Sequence, residues 1–360
     1  MIIYCLFVFF LTIYSYALVD PNFTLFNHPF WTSFRNLMVY FGYYQRFWST
    51  LVYILFILLL FYFLFYWQKQ KINVFKTALL IGLLTLFSYP FLSHDFFNYL
   101  FDAKILTFYG KNPYQFSALD FPGDSWTRFM HWTHRTYPYG PTFLPITAIP
   151  SFFSFGKFFL AFFLFKLTWF LFYFLMVYFS YKVDKKWSLV LAFHPLIIVE
   201  GLINNHNDLL ALSFSVLAIY FLIRKKDKLL SAIFFIVGGG IKYLSLPLTL
   251  LVSNKKLIKI LSLFLIFILI IYLAFFSEIQ PWYFLIFFAF YPFFSKLIEK
   301  LNLFFAGLLF SYFPYLFFGG WDSLEKIDQK HIIISIFTLI NVIYFIFLLF
   351  FYRWKSLNLS

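Results

Sequence analysis

Charge is scarce in this chain. Only 12% of its 360 residues are Asp, Glu, Lys or Arg, against about a quarter in soluble domains. So little polar surface cannot cover a water-soluble globule of this size. Soluble enzymes, nucleic-acid modules and disordered tails are therefore excluded. Acids are scarcer still, since 14 Asp+Glu face 28 Lys+Arg for a net charge of +14. The single Cys5 lies in an apolar run, which excludes an intrachain disulfide. No glycine-rich phosphate loop opens a soluble α/β unit. No tandem repeat is evident, and most linkers are short.

What the chain has is apolar surface. Hydrophobic residues make up 63%, aromatics 28%, and mean hydropathy is +0.83. The 62 Phe, with frequent Lys, Ile, Asn and Tyr, read as codon bias more than as function. A membrane span needs about 20 mostly apolar residues. Such windows fall at 1–18, 48–67, 74–92, 158–181, 187–203, 209–223, 259–276, 282–295, 301–320 and 332–352. The 1–18 window lacks a basic start and a small-residue cleavage pattern, so it reads as a retained helix and not a signal peptide. Residues 141–155 are apolar but short and proline-rich, and read as half-inserted. Residues 229–253 are broken by Gly238, Gly239 and Gly240, and form either one span or a hairpin. The expected fold is an all-α polytopic membrane protein of about 10–12 transmembrane helices, a single domain over 1–360.

Lys and Arg mark cytoplasmic loops. Basic clusters occur at Lys69/Lys71/Lys76, Lys182/Lys185/Lys186, Arg224–Lys228, Lys255/Lys256/Lys259, Lys296/Lys300 and Arg353/Lys355. All lie on one side if 229–253 is a hairpin. Both termini are then cytoplasmic, in the plasma membrane, and one large outer loop spans 93–140. The basic excess sits almost wholly in these inner clusters. It is a topology signal and not a nucleic-acid footprint.

Polar residues gather in four places, and an ionisable group at membrane depth marks function by default. The first opens the outer loop. In a helix Asp95, Asn98, Tyr99 and Asp102 share one face, away from Phe96, Phe97 and Phe101. The same pattern also suits a solvated loop helix capped at Ser93 or Asp95. Arg135 and Tyr139 close the loop beside aromatics that bind a sugar or anchor the interface. The second cluster runs from Glu200 to Asp208, where Glu200, Asn204 and Asp208 can share a face, although a plain polar turn also fits. His206 and Asp208, with Asp95, are candidate ligands for Mg²⁺ or Mn²⁺ if further ligands converge. The third is Lys242, deep in the hairpin, where an anionic partner such as a lipid phosphate is favoured over snorkelling. The fourth, Ser277–Tyr283, carries Glu278 and Trp282.

These residues carry a resemblance. S-x-D-x-x-x-Y stands at Ser93, Asp95 and Tyr99, G-x-N-P-Y at Gly110–Tyr114, and Y-x-Y-G-P at Tyr137–Pro141. P-x(4)-E-G-x(4)-H-N-D spans Pro195–Asp208, G-x-x-K-Y-x-x-x-P spans Gly239–Pro247, and Pro281-Trp282-Tyr283 follows. In order and topology the chain resembles the GT-C class of integral-membrane glycosyltransferases, closest to bacterial polyprenyl-phosphate-mannose-dependent mannosyltransferases. The 321–331 loop and the first two helices lie outside the resemblance. It implies sugar transfer from a polyprenyl-phosphate donor to a glycan or glycolipid acceptor among membrane lipids, with no nucleic-acid partner. It also implies an inverting mechanism with Asp95 as base. Asp102, Tyr99, Arg135, Tyr139, Glu200, His206, Asp208, Lys242, Glu278 and Trp282 are the candidate substrate-binding residues. Lys242 and Arg135, with His206, would neutralise the leaving phosphate. No cofactor is required by this reading beyond the divalent metal considered above. A lipid-linked glycan flippase or transporter shares many of these features, as does an envelope-glycan polymerase or ligase.

Overall fold

The computed structural model describes residues 2–357, with side chains through Leu348. The last basic pair, Arg353 and Lys355, has its side chains outside the described residues. The chain is 76% helix, and no strand occurs among the described residues. The helices are α1 (Ile2–Tyr14), α2 (Pro29–Val39), α3 (Arg46–Trp67), α4 (Val74–Thr85) and α5 (Asp95–Thr107). After the outer loop come α6 (Phe143–Phe153), α7 (Phe158–Val183), α8 (Lys185–Phe193) and α9 (Asp208–Tyr220). Then follow α10 (Lys228–Gly239), α11 (Lys256–Phe276), α12 (Tyr291–Glu299), α13 (Asn302–Phe310) and α14 (Leu324–Leu357).

Six helical stretches are long and apolar enough to cross a membrane, or seven if one bent pair is a single span. Five shorter apolar helices, among them 74–85 and 143–153, occupy other predicted windows. The short 143–153 helix agrees with the half-inserted reading of 141–155. The bent pair joins α8 to a π-helical turn, Ile197–Ile203, at 64°. Pro195 explains the break, because it lacks an N–H and pushes His194 out of the helical region. His194 is indeed extended, at φ −66° and ψ 128°.

Residues 229–253 resolve as a hairpin of two short elements. α10 ends at the glycines, and a 3-10 helix, Tyr243–Val252, returns beside it. The acids inside the basic loops have a structural task. Asp184 accepts from the backbone N–H groups of Lys186 and Trp187, and Asp227 from that of Leu230, so each caps a helix. Lys166, buried in α7, also has one. Its ammonium donates to Ser88 Oγ at 3.0 Å and to the Ile203 carbonyl at 2.8 Å, at the C-terminal end of the π-helical turn.

The outer loop is pinned at both ends. The backbone N–H of Tyr137 donates to the Pro113 carbonyl at 2.9 Å, so the two turn motifs lie side by side. Gly110 sits at φ +64°, where glycine is unstrained. The loop's last glycine, Gly140, then meets the hairpin tip. A Cβ there would lie 2.0 Å from the carbonyl oxygen of Gly240. Thr142 secures the approach through its N–H to the Gly240 carbonyl (3.1 Å) and its Oγ1 to the Val237 carbonyl (2.7 Å).

Gly140→Ala forces backbone away from backbone, and overpacking of this kind costs about 1–3 kcal/mol. The expected outcome is a clear fall in the thermal midpoint of the detergent-solubilised protein. An unchanged midpoint would contradict the contact.

Candidate functional site

The site lies where the outer loop covers the helix breaks. α5 begins at Asp95, whose N–H is held by Ser93 Oγ at 3.2 Å, so the carboxylate sits at the positive end of the helix dipole. The expected amphipathic surface helix is corrected here. Every residue from Phe96 to Ile105 is buried, so neither face of α5 is solvated there. The apolar face packs through Phe96 on Phe162 and Trp169. The polar face is covered by the loop: Asn98 donates to the Trp132 carbonyl, and Tyr99 stacks on Trp169 at 5.8 Å. Asn98 Nδ2 and the Tyr99 ring thus meet the loop and α7 in place of water, whereas Asn98 Oδ1 has no hydrogen-bond partner among the described residues.

The Glu200–Asp208 turn is likewise buried throughout and not an exposed connector. Asn205 adopts φ +57°, a conformation Asn tolerates, and reverses the chain there. The reversal aims His206 at α5. His206 is fully buried, with Nδ1 at 3.7 Å from Asp95 Oδ2 and Nε2 at 3.4 Å from Glu200 Oε2. Trp282 stacks on the imidazole at 3.7 Å, nearly parallel. Asn204 Nδ2 donates to the same Glu200 oxygen at 3.2 Å, and its Oδ1 accepts from the Leu92 N–H. Asp95, His206 and Glu200 thus form a row, with the imidazole between two carboxylates.

Two residues after His206, Asp208 faces Lys242. Their side chains meet at 3.2 Å, and the ammonium lies 4.8 Å from the centre of the Tyr283 ring. Arg135 donates to Tyr139 Oη at 3.0 Å and lies over the Trp132 ring. Below it, Asp102 is buried, and burial pushes its carboxyl up to about 7, with Arg135 opposing and Asp95 reinforcing the rise.

An open cavity of about 480 Å³ runs over this layer. Asp95, Arg135, Tyr139, Lys242, Glu278 and Trp282 line it. Asp102, Tyr99, Glu200, His206 and Asp208 do not. They stand behind it: Tyr99, Asp102, His206 and Asp208 each near a residue that does, and Glu200 behind His206. Of these five, His206 has Trp282 stacked on its ring and Asp95 near its Nδ1, and both of those residues line the cavity. The metal set Asp95, His206 and Asp208 does not converge either. Asp95 meets His206 while Asp208 turns to Lys242, and no group of three His, Cys, Asp or Glu poised for a metal occurs among the described residues.

Several lining residues carried no earlier assignment. His131, Trp132 and His134 come from the loop run His131–Arg135, and Tyr315 and Trp321 from the start of the last outer connection. The signal was present in composition. Of seven His in the chain, three line this cavity, which is far from an even scatter. His94 and His131 stack at 3.8 Å. Burial, and the neighbouring His131, push His94 down to about 3, and burial lowers His131 too, so the pair adds no positive charge at neutral pH.

Comparison with known proteins places the chain in a family. A family model described as alpha-(1->6)-mannopyranosyltransferase, N-terminal domain, matches residues 17–253. No curated protein and no solved structure matches the chain.

Asp102 supplies a pH test. Its carboxyl titrates near 3.8 when unfolded and near 7 when folded. Between those values the folded chain keeps a proton that the unfolded chain releases, so stability falls as pH rises through the window. The contribution is at most about 4 kcal/mol. Relative to Asp102→Asn, the unsubstituted protein should lose thermal stability from about pH 4 to 7 and level off above. Parallel curves for the two proteins would contradict the buried carboxyl.

Proposed function

The chain belongs to the alpha-(1->6)-mannopyranosyltransferase family, and from that premise we propose that it moves mannose from a polyprenyl-phosphate donor to a glycan acceptor at the outer face of the plasma membrane. Asp95 is the base. Its carboxylate takes the proton of the acceptor hydroxyl as that oxygen attacks the anomeric carbon of the donor. The bond from that carbon to the phosphate oxygen breaks, and the polyprenyl phosphate leaves with the electron pair. A single displacement inverts the anomeric centre. An α-linked product therefore requires a β-linked donor.

The leaving phosphate develops charge toward Lys242 and Arg135, which face the same cavity as Asp95. One observation supports this reading above the others: base and cations line one cavity while the partner of each lies behind it. His206 and Glu200 orient Asp95 from the rear, and Asp208 holds Lys242 at its station. The basic clusters face the cytoplasm, so the cavity opens outward, where a lipid-borne sugar needs no nucleotide.

Asp95→Asn should reduce transfer by about 10²–10⁴-fold, with folding and membrane insertion intact. The assay supplies reconstituted protein with a radiolabelled mannosyl lipid phosphate and an α-mannoside acceptor. Normal turnover in the variant removes Asp95 from the base role. Label that crosses the bilayer without transfer indicates a flippase instead. Lys242→Ala should raise the donor KM and leave the acceptor KM near its original value. The reverse pattern removes the phosphate role.

A further inference from the structure

The cavity has a second, larger lobe of about 690 Å³. It is continuous with the first, because His94, His131, Trp132, Glu278, Tyr315 and Trp321 line both. Its far wall comes from the loop after α13 and the start of α14, where Trp321, Asp322 and Lys330 stand. That wall lies outside the residues matched by the family, and nothing above assigns it a task.

Its chemistry is distinct from that of the first lobe. Trp321 stacks on Tyr315, with ring centres 5.5 Å apart and planes 19° from parallel. The stack has the Lys330 ammonium 5.3 Å from the centre of the Trp321 ring, and both rings border the lobe. Across the lobe, Trp132 is about half exposed. The charges in this lobe are largely spent on one another. Glu278 accepts from Lys330 at 3.0 Å and lies 2.9 Å from His331, and Lys330 also donates to Gln280. Asp322 is paired with Lys326. Arg46 donates to the Leu316 carbonyl and lies over the Tyr43 ring. The lobe thus offers flat apolar rings and fixed hydrogen-bonding groups with little free charge. A phosphate gains little there. A sugar ring, with one apolar face and a rim of hydroxyls, is complementary to both features.

We propose that this second lobe is the acceptor subsite, and that it binds the terminal mannose units of a neutral glycan between Trp132 and the Trp321–Tyr315 stack. The proposal rests on the mannosyltransferase reading of the first lobe, because the shared residues set the acceptor beside Asp95. At this volume, near the middle of the range for ligand pockets of ~300–1,000 Å³, more than one sugar ring fits. Acceptor choice is then governed by the part of the chain beyond residue 253, and donor chemistry mainly by the part before it.

The test reads binding apart from transfer. Full-length protein in detergent is titrated with α-1,6-mannobiose, followed by saturation-transfer NMR. The unsubstituted protein should bind it, Trp321→Ala should weaken binding at least tenfold, and Trp321→Phe should retain most of it. Trp132→Ala, on the opposite and more exposed wall, should weaken it as well and guards against misfolding of the Trp321 variant. In the transfer assay both alanine variants should raise the acceptor KM by a larger factor than the donor KM, because both rings also border the first lobe. The proposal is overturned if mannobiose fails to bind, if both alanine variants bind it normally, or if inorganic phosphate displaces it competitively. Mannobiose binding without transfer from any mannosyl lipid phosphate would instead strike the donor reading and leave this subsite standing.

Discussion

The contact between Gly140 and Gly240 is the constraint from which the site's geometry follows. Two backbones meet there with no room for a side chain. One belongs to the end of the outer loop, which carries Arg135 and Tyr139. The other is the tip of the hairpin that carries Lys242. A hairpin that ends inside the bilayer would leave a lysine in hydrocarbon, at a cost of several kcal/mol. Docking the loop on the tip replaces lipid with protein on one side. Asp208 from α9 neutralises the ammonium on another. The lysine is then affordable only in this arrangement, so hairpin, loop and α9 must assemble together.

The charged groups behind the cavity follow one plan. Asp95 faces the cavity and is backed by His206, Lys242 faces it and is backed by Asp208, and Arg135 lies above Asp102. In each case one member borders the cavity and the other is buried beside it. Taking both members out of water is costly and is a weak route to stability. It is an effective route to fixed charge, because a held group need not reorganise when charge develops in the transition state. Tyr99 and Trp169 fill the same layer with rings, which keeps it rigid. The row Asp95–His206–Glu200 goes one step further, since a second carboxylate lies near the far edge of the imidazole.

Much of this was legible in the sequence, and the exceptions have physical causes. Most long span windows and the hairpin could be read because apolar runs and basic loops are local signals, but six or seven candidate spans occur among the described residues where 10–12 were expected. Triple glycine marked the break at 238–240, whereas 187–203 read as one window and is bent at Pro195. Asp95, Lys242, Arg135 and Glu278 stood out because charge is expensive against a Phe/Leu background. Depth was not legible. A helix whose polar face is satisfied by a distant loop has the same local pattern as one satisfied by water, so α5 read as a surface helix. For the same reason the residues that line the cavity could not be told from those buried behind it, such as His206. Trp321 and Tyr315 gave no signal at all, because single aromatics are common in a chain that is 28% aromatic.

The site is built where helices fail. Asp95 starts a helix after an irregular entry, His206 follows a π-helical turn, Lys242 sits between two short elements, and Trp282 opens a 3-10 stretch behind Pro281. A straight apolar span satisfies its own backbone and offers a ligand only side chains from one stripe. Irregular backbone in a membrane is tolerated only where protein or a cavity surrounds it. Each break therefore needs the others as neighbours, and together they enclose a polar volume that no single span could line. Cavity and breaks are thus one feature, for the hairpin tip is covered by the loop, the loop is held by α5, and α5 is held by the buried turn that carries His206. The loop after α13 adds its aromatic rings last in the chain, onto a wall already set by these breaks, so it can vary in sequence without disturbing the charges beneath it.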